Sequence, residues 1–159
     1  MDYRAAEIMN REVVLVRENM DVKELARLFL RRQISGAPVV DEKNELVGVI
    51  SQTDLVYHSL TRGEELADDS HFYEIARMEG RRSPAGFQIE DMNSVPVSEI
   101  MTPVVHSVSE RAGLQTIINL MTRKHIHRVV VTRGKKVVGI ISALDVLGAV
   151  RKSMGALAR

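Results

Sequence analysis

The chain has no cysteine and no tryptophan in 159 residues. Disulfide bonds and thiolate metal sites are thereby excluded, and an intracellular setting is the expectation. Neither charge sign is in excess: 22 basic residues face 21 acidic ones, interspersed, for a formal net charge of +1. Such a balance gives no long-range field to attract nucleic acid or an anionic membrane, so no partner of either kind is expected and any phosphate-binding cations must be local. Long hydrophobic runs are also missing. The most apolar stretch, Val137–Val150, is interrupted by Ser142 and Asp145, and Met1-Asp2-Tyr3-Arg4 carries no apolar signal core. Neither a membrane span nor an export signal is visible, and a cytoplasmic location is expected.

What the chain does have is an internal repeat. Met101 stands 92 positions after Met9, and the same spacing matches Ile8 to Ile100, Val13 to Val105, Val16 to Val108, Leu28 to Leu120, Ile34 to Ile126 and Val39 to Val131. One residue is then lost from a turn. Beyond it, Val47-Gly48-Val49-Ile50-Ser51-Gln52-Thr53-Asp54 falls on Val138-Gly139-Ile140-Ile141-Ser142-Ala143-Leu144-Asp145. A fixed-period repeat implies two copies of one supersecondary unit, expected to be related by an intramolecular pseudo-twofold. Neither half, at roughly 50–60 residues, has enough core to be comfortable alone, so each must bury apolar surface against the other or against a second chain.

Hydrophobic periodicity gives the order β-α-β-β-α in each copy. The β-branched run Val13–Val16 suits a strand, and Asp21 precedes an amphipathic helix that carries Val22, Leu25, Ala26, Leu28 and Phe29 and ends in Arg31-Arg32. Ala37–Val40 and Leu46–Ile50 read as two strands around a tight connection, and a second helix starts near Ser51. Copy two repeats this as Val104–Val108, Leu114–Lys124, Arg128–Thr132, Lys136–Ile141 and Leu144 to about Lys152, with a frayed tail expected after Ser153. Two α/β domains are expected, at 1–60 and 96–152, each a small mixed sheet packed by two helices, with a linker at 61–95 and a tail at 153–159. The linker holds Phe72, Tyr73 and Phe87, half of the six aromatics. A connection of that length is expected to set dimer geometry or to contact a partner.

The residues that carry chemistry are the paired Ser-x-x-Asp steps between strand and helix. Their bland reading is strong, because Ser51 and Ser142 are ideal N-caps and Asp54 and Asp145 sit where a carboxylate completes a capping box. The functional reading uses the same geometry. A helix amino end offers N–H groups to an anion, a carboxylate accepts hydrogen bonds from both ribose hydroxyls, and Gly48 or Gly139 would let a ligand approach the backbone.

These motifs resemble a tandem pair of CBS domains, the modules named for cystathionine β-synthase. The matching residues are Ile8-Met9, Ile34-Ser35-Gly36-Ala37-Pro38-Val39-Val40 and Gly48–Asp54 in the first copy. In the second they are Ile100-Met101-Thr102-Pro103, His125–Val131 and Gly139–Asp145. The resemblance covers nearly everything outside the linker. It implies a regulatory module without catalytic residues that binds an adenine nucleotide (AMP, ADP or ATP, with S-adenosylmethionine as an alternative) and passes the ligand state to a regulated protein on a separate chain. It also implies a homodimer.

Carried over, one site joins Ser51, Thr53 and Asp54 to Thr102, Val104, Val105, His127, Arg128 and Val129. The weaker, reciprocal site joins Ser142 and Asp145 to Asn10, Val13, Val14, Ser35, Gly36, Ala37 and Pro38. On this grouping the first site holds phosphate through Thr53, His127 and Arg128. The second has Leu144 and Gly36 at the corresponding positions and lacks those contacts. The rival reading is a scaffold dimer with unoccupied clefts, docking a partner through residues 61–96. No metal site is expected, since His125 and His127 find no third ligand by spacing, and no nucleophile, base and orienter set is indicated.

Overall fold

The computed structural model describes residues 3–62 and 94–157. The linker aromatics Phe72, Tyr73 and Phe87 lie outside the described residues. In chain order the elements are α1 (Ala5–Ile8), β1 (Val16–Arg17), α2 (Val22–Arg32), β2 (Gly36–Val40), β3 (Leu46–Ser51) and α3 (Gln52–Arg62). A 3-10 turn at Val97–Glu99 opens the second copy, followed by β4 (Ser107–Ser109), α4 (Leu114–Lys124), β5 (Arg128–Arg133), β6 (Lys136–Ser142) and α5 (Ala143–Leu157). The fold is α/β: two three-stranded mixed sheets, ordered β1-β2-β3 and β4-β5-β6, packed with helices. Within each, the first strand runs parallel to the second, as Val16 opposite Val39 and Val108 opposite Val131 show. Strand β5 then runs antiparallel to β6.

The first strands are shorter and later than the β-branched runs suggested. Val13–Val16 yields only Val16–Arg17 as strand, and Val104–Val108 yields Ser107–Ser109. Upstream, the backbone is committed elsewhere. Asn10 exchanges both backbone hydrogen bonds with Ile140 at 2.9 Å, its side-chain Oδ1 accepts from Glu12 N–H at 2.9 Å, and Val13 N–H donates to Arg11 O at 3.0 Å. The chain is thus turned before parallel pairing can start. At the other end, the helix runs on to Leu157, where the sequence suggested fraying after Ser153.

Backbone contacts divide the chain into two compact units, each drawn from both copies. One gathers Met1–Glu18, Ala37–Val49 and Thr102–Arg159; the other gathers Asn19–Gly36 and Ile50–Met101. In the first, Ala5, Met9, Val108, Ile117, Met121, Val129, Val131, Ile141 and Val146 form the core. In the second, Val22, Leu25, Phe29, Ile50, Leu55 and Val97 are buried, and burying a residue such as Phe29 contributes about 2–3 kcal/mol.

The leading segment of each copy caps a helix of the other. In the first unit Leu114 N–H donates to Tyr3 O at 2.8 Å, and Ala5 N–H to Ala112 O at 2.8 Å. In the second unit the equivalent bonds are Val22 N–H to Val95 O at 3.0 Å and Val97 N–H to Met20 O at 2.9 Å. Orphan donors at two helix amino ends are thereby satisfied by backbone carbonyls distant in sequence. At α2 the cap is reinforced by Asp21, whose Oδ1 accepts from Lys23 N–H at 2.8 Å and whose Oδ2 accepts from the Ser94 hydroxyl. Both helices close on a left-handed residue without glycine, Gln33 and His125, each at φ 52.

Three outcomes follow from this packing. A Cβ at Gly139 would lie 2.4 Å from Met9 Sδ, inside the core. Gly139→Ala is therefore expected to lower stability by roughly 1–3 kcal/mol in chemical denaturation, and by clearly less in a Met9→Ala background, because the two changes share one contact. Gln33→Gly removes the left-handed penalty and should stabilise by about 1 kcal/mol, raising Tm by roughly 2–4 °C. The Ser94 hydroxyl, followed by the Lys23 amide, holds the Asp21 carboxyl below its ordinary value of 3.8. A depressed folded-state pKa stabilises above the unfolded value and is lost below it. The stability advantage of the native chain over Asp21→Asn should accordingly be present at neutral pH and shrink as pH falls below 3.8, as followed by denaturation across acid pH.

Candidate functional site

The two Ser-x-x-Asp steps have the same geometry. At the first, Ser51 N–H and Ser51 Oγ both donate to Asp54 Oδ2, at 2.7 and 2.6 Å, while Asp54 N–H donates to Ser51 Oγ at 3.3 Å. At the second, Ser142 and Asp145 repeat these bonds at 2.7, 2.6 and 3.3 Å. This is a reciprocal capping box, and it satisfies the structural reading in full. It also uses only one oxygen of each carboxylate. Among the described residues, Oδ1 of Asp54 and Oδ1 of Asp145 accept no hydrogen bond, although an ionised carboxylate has about four lone-pair sites. Both aspartates are half-buried, so each presents a fixed, preorganised acceptor at a helix start.

The strand that leads to each step is joined by the leading segment of the opposite copy. Asn10 bridges Ile140 on β6, two residues before Ser142, and Thr102 bridges Val49 on β3, two residues before Ser51. Both pairs lie within the first unit. Farther along, Val13, Val14 and Val105 are half-buried and Val104 is 67% exposed. Ala37, Pro38 and Val129 are buried in β2 and β5, which leaves only their backbone to offer.

Of the basic pair, which the sequence grouping sets with Asp54, Arg128 is the cross-strand partner of Ser142, and Ala143 N–H donates to His127 O at 2.9 Å. Directly opposed residues of an antiparallel pair leave the same face of the sheet. Arg128, Ser142 and Asp145 consequently share one face of the first unit. In the second unit the equivalent neighbour of Ser51 is Gly36, grouped by sequence with Asp145. A Cβ there would lie 3.8 Å from Ser51 Cβ and only 3.1 Å from the Ile50 carbonyl oxygen, and Gln52 N–H donates to Ser35 O at 3.0 Å. The repeat itself held the signal for this arrangement: Arg128 precedes Ser142 by the same strand-turn-strand path that leads from Gly36 to Ser51 within one copy.

Gly139 also has another role than the one first assigned. Its missing side chain makes room for Met9. Leu144, considered above only as an absent hydroxyl, is 77% exposed, while Thr53 is exposed at the matching position. Among the described residues no three His, Asp or Glu side chains gather as a metal cage, and no helix is long and apolar enough to cross a membrane.

Comparison with known proteins agrees with this fold. The chain is 27% identical over 150 residues to the CBS domain-containing protein CBSX1, chloroplastic, of Arabidopsis thaliana, a match that takes in 92% of the chain and 64% of that relative's own length. The crystal structure of CBSX2 in complex with AMP superposes with a TM-score of 0.68 at 20% identity, over 96% of this chain and 98% of that one. The CBS domain pair of protein MJ0100, in complex with 5′-methylthioadenosine and S-adenosyl-L-methionine, gives 0.68 at 19% identity, over 96% and 99%. The family model of the CBS domain matches twice, over residues 5–60 and 97–152. The chain belongs to the CBS domain family, as a tandem pair of those domains.

Proposed function

We propose that the chain is a regulatory module that binds an adenosine ligand at its Ser-x-x-Asp steps and passes the ligand state to a protein on a separate chain, without catalysing a reaction itself. The observation that carries this reading is the half-used carboxylate. A residue kept only for capping has done its work with Oδ2, yet Asp54 and Asp145 both hold Oδ1 uncommitted among the described residues, in duplicate geometry. Two ribose hydroxyls are a natural complement to such an acceptor. The AMP bound to CBSX2 and the adenosyl ligands bound to the MJ0100 pair support the same ligand class.

In this reading the ribose donates to Oδ1, and at the Ser142–Asp145 step the leading segment around Asn10 borders the base. The domains are read as residues 1–60 and 96–152. Ligand binding is worth signalling only if the bound and free states differ in shape or contacts, since an effector shifts an equilibrium by its differential affinity alone. The exposed row Leu144, Leu147 and Met154 on α5 supports a homodimer as the assembly that reports the change.

Thermal shift tests the reading. A ligand at a hundredfold excess over its Kd stabilises the folded chain by about 2.7 kcal/mol, which at this size raises Tm by roughly 5–10 °C. AMP, ADP or ATP is expected to give such a shift, and the Asp54→Ala, Asp145→Ala double variant is expected to lose it. A full shift in the double variant would refute the carboxylate assignment.

A further inference from the structure

We infer that the first turn of α4 reports whether the Ser142–Asp145 step is occupied, and that the segment Tyr3–Asn10 carries the signal between them. This rests on the reading above, in which an adenosine ligand at that step has its base beside Asn10. The addition is the element that changes when the ligand arrives.

The two helix starts closed by the leading segments are unequal. Asp21 and Gly113 are matched positions of the repeat, and each is the N-cap of its helix. Asp21 caps α2 with its own carboxylate, Glu24 adds a negative charge in the first turn, and the bond from Val22 N–H to Val95 O comes in addition. Gly113 has no side chain to offer, and the first turn of α4 holds no acidic residue. Its order comes from backbone of the other copy: Leu114 N–H donates to Tyr3 O at 2.8 Å, while Ala5 and Ala6 N–H donate to the carbonyls of Ala112 and Glu110 at 2.8 and 2.9 Å. The first-turn bond from Ile117 N–H to Gly113 O is 3.3 Å long, against 2.9 Å for the matched bond from Leu25 N–H to Asp21 O. When the leading segment moves, α2 keeps a cap and α4 does not.

The same segment runs on to the candidate site. Ala5 and Met9 are buried, Met9 fills the space beside Gly139, and Asn10 exchanges both backbone bonds with Ile140, two residues before Ser142. All of these residues lie in the first unit. A ligand whose base meets Asn10 favours the docked segment, so it lowers the population in which the segment is released. The start of α4 depends on that docking and opens less often in consequence. Coupling of this kind works through local opening and needs no second fold of the chain.

Hydrogen–deuterium exchange of the full chain, read by NMR, tests the coupling, with AMP as the probe and thermal shift to establish that it binds. At about a hundredfold excess of AMP over its Kd, exchange of the Leu114 and Ile117 amides is expected to slow by about tenfold or more, and that of Leu25 by clearly less. Gly113→Asp gives α4 the kind of cap that α2 has, at a backbone conformation of φ -75 and ψ 158 that suits an aspartate N-cap. In that variant Ile117 should be protected without ligand, its response to AMP should shrink, and AMP affinity should hold. AMP that binds yet leaves Leu114 and Ile117 unchanged, that slows Leu25 as much as Ile117, or that slows Ile117 in Gly113→Asp as much as in the native chain overturns the inference and leaves the adenosine reading standing. Silence of the native chain towards AMP removes that reading, and this inference with it.

Discussion

The structure depends on an exchange. Each copy of the repeat sends its leading segment to the amino end of a helix in the other copy, where backbone carbonyls at Tyr3 and Val95 close the caps of α4 and α2. Four N–H groups at a helix start have no partner within the helix, and leaving them buried and unpaired is expensive. Because the partner is supplied from the opposite copy, neither β-α-β-β-α unit has its caps complete alone. The same segments continue into Asn10 and Thr102, whose paired backbone bonds fasten them to β6 and β3 just before the two serines. One device thus ties the copies together.

The capping box at each site has two consequences. It fixes the aspartate rotamer through Oδ2, so the oxygen that accepts no hydrogen bond among the described residues is held in place, and in the proposed reading less ordering entropy opposes binding. It also explains why the motif is hard to interpret from sequence, since a residue that caps and a residue that binds require the same spacing. In the proposed reading the two uses are compatible, one oxygen for each. Where the copies diverge, at Gly36 against Arg128, the divergence falls on the strand next to this fixed acceptor and not in the core, where Val39 and Val131 stay alike.

Much of the architecture was legible in the residues. The matching of Met9 with Met101 and of Ser51–Asp54 with Ser142–Asp145 announced the duplication, and the helical stripe Val22-Leu25-Ala26-Phe29 placed α2 with its buried face correct. The strand starts were not legible, because Val13 and Val14 have strand-forming side chains but a backbone bent by the bonds of Asn10 to Ile140 and Glu12. Gly139 was misread for a similar reason: a glycine beside a candidate site invites a ligand, and only coordinates reveal that Met9 fills the space. The pairing of Arg128 with Ser142 turns on strand register, which is set across the β5–β6 turn and is signalled in the sequence only by the match between the two copies.

The central claim is that the uncommitted oxygen of these aspartates is a ribose acceptor. A crystal structure of the chain grown with AMP tests it most directly. The account predicts ribose hydroxyls within hydrogen-bond distance of Oδ1 of Asp145, with Ser142 still bonded to Oδ2. Nucleotide bound away from both aspartates, with each carboxylate engaged only in its capping box, would contradict it.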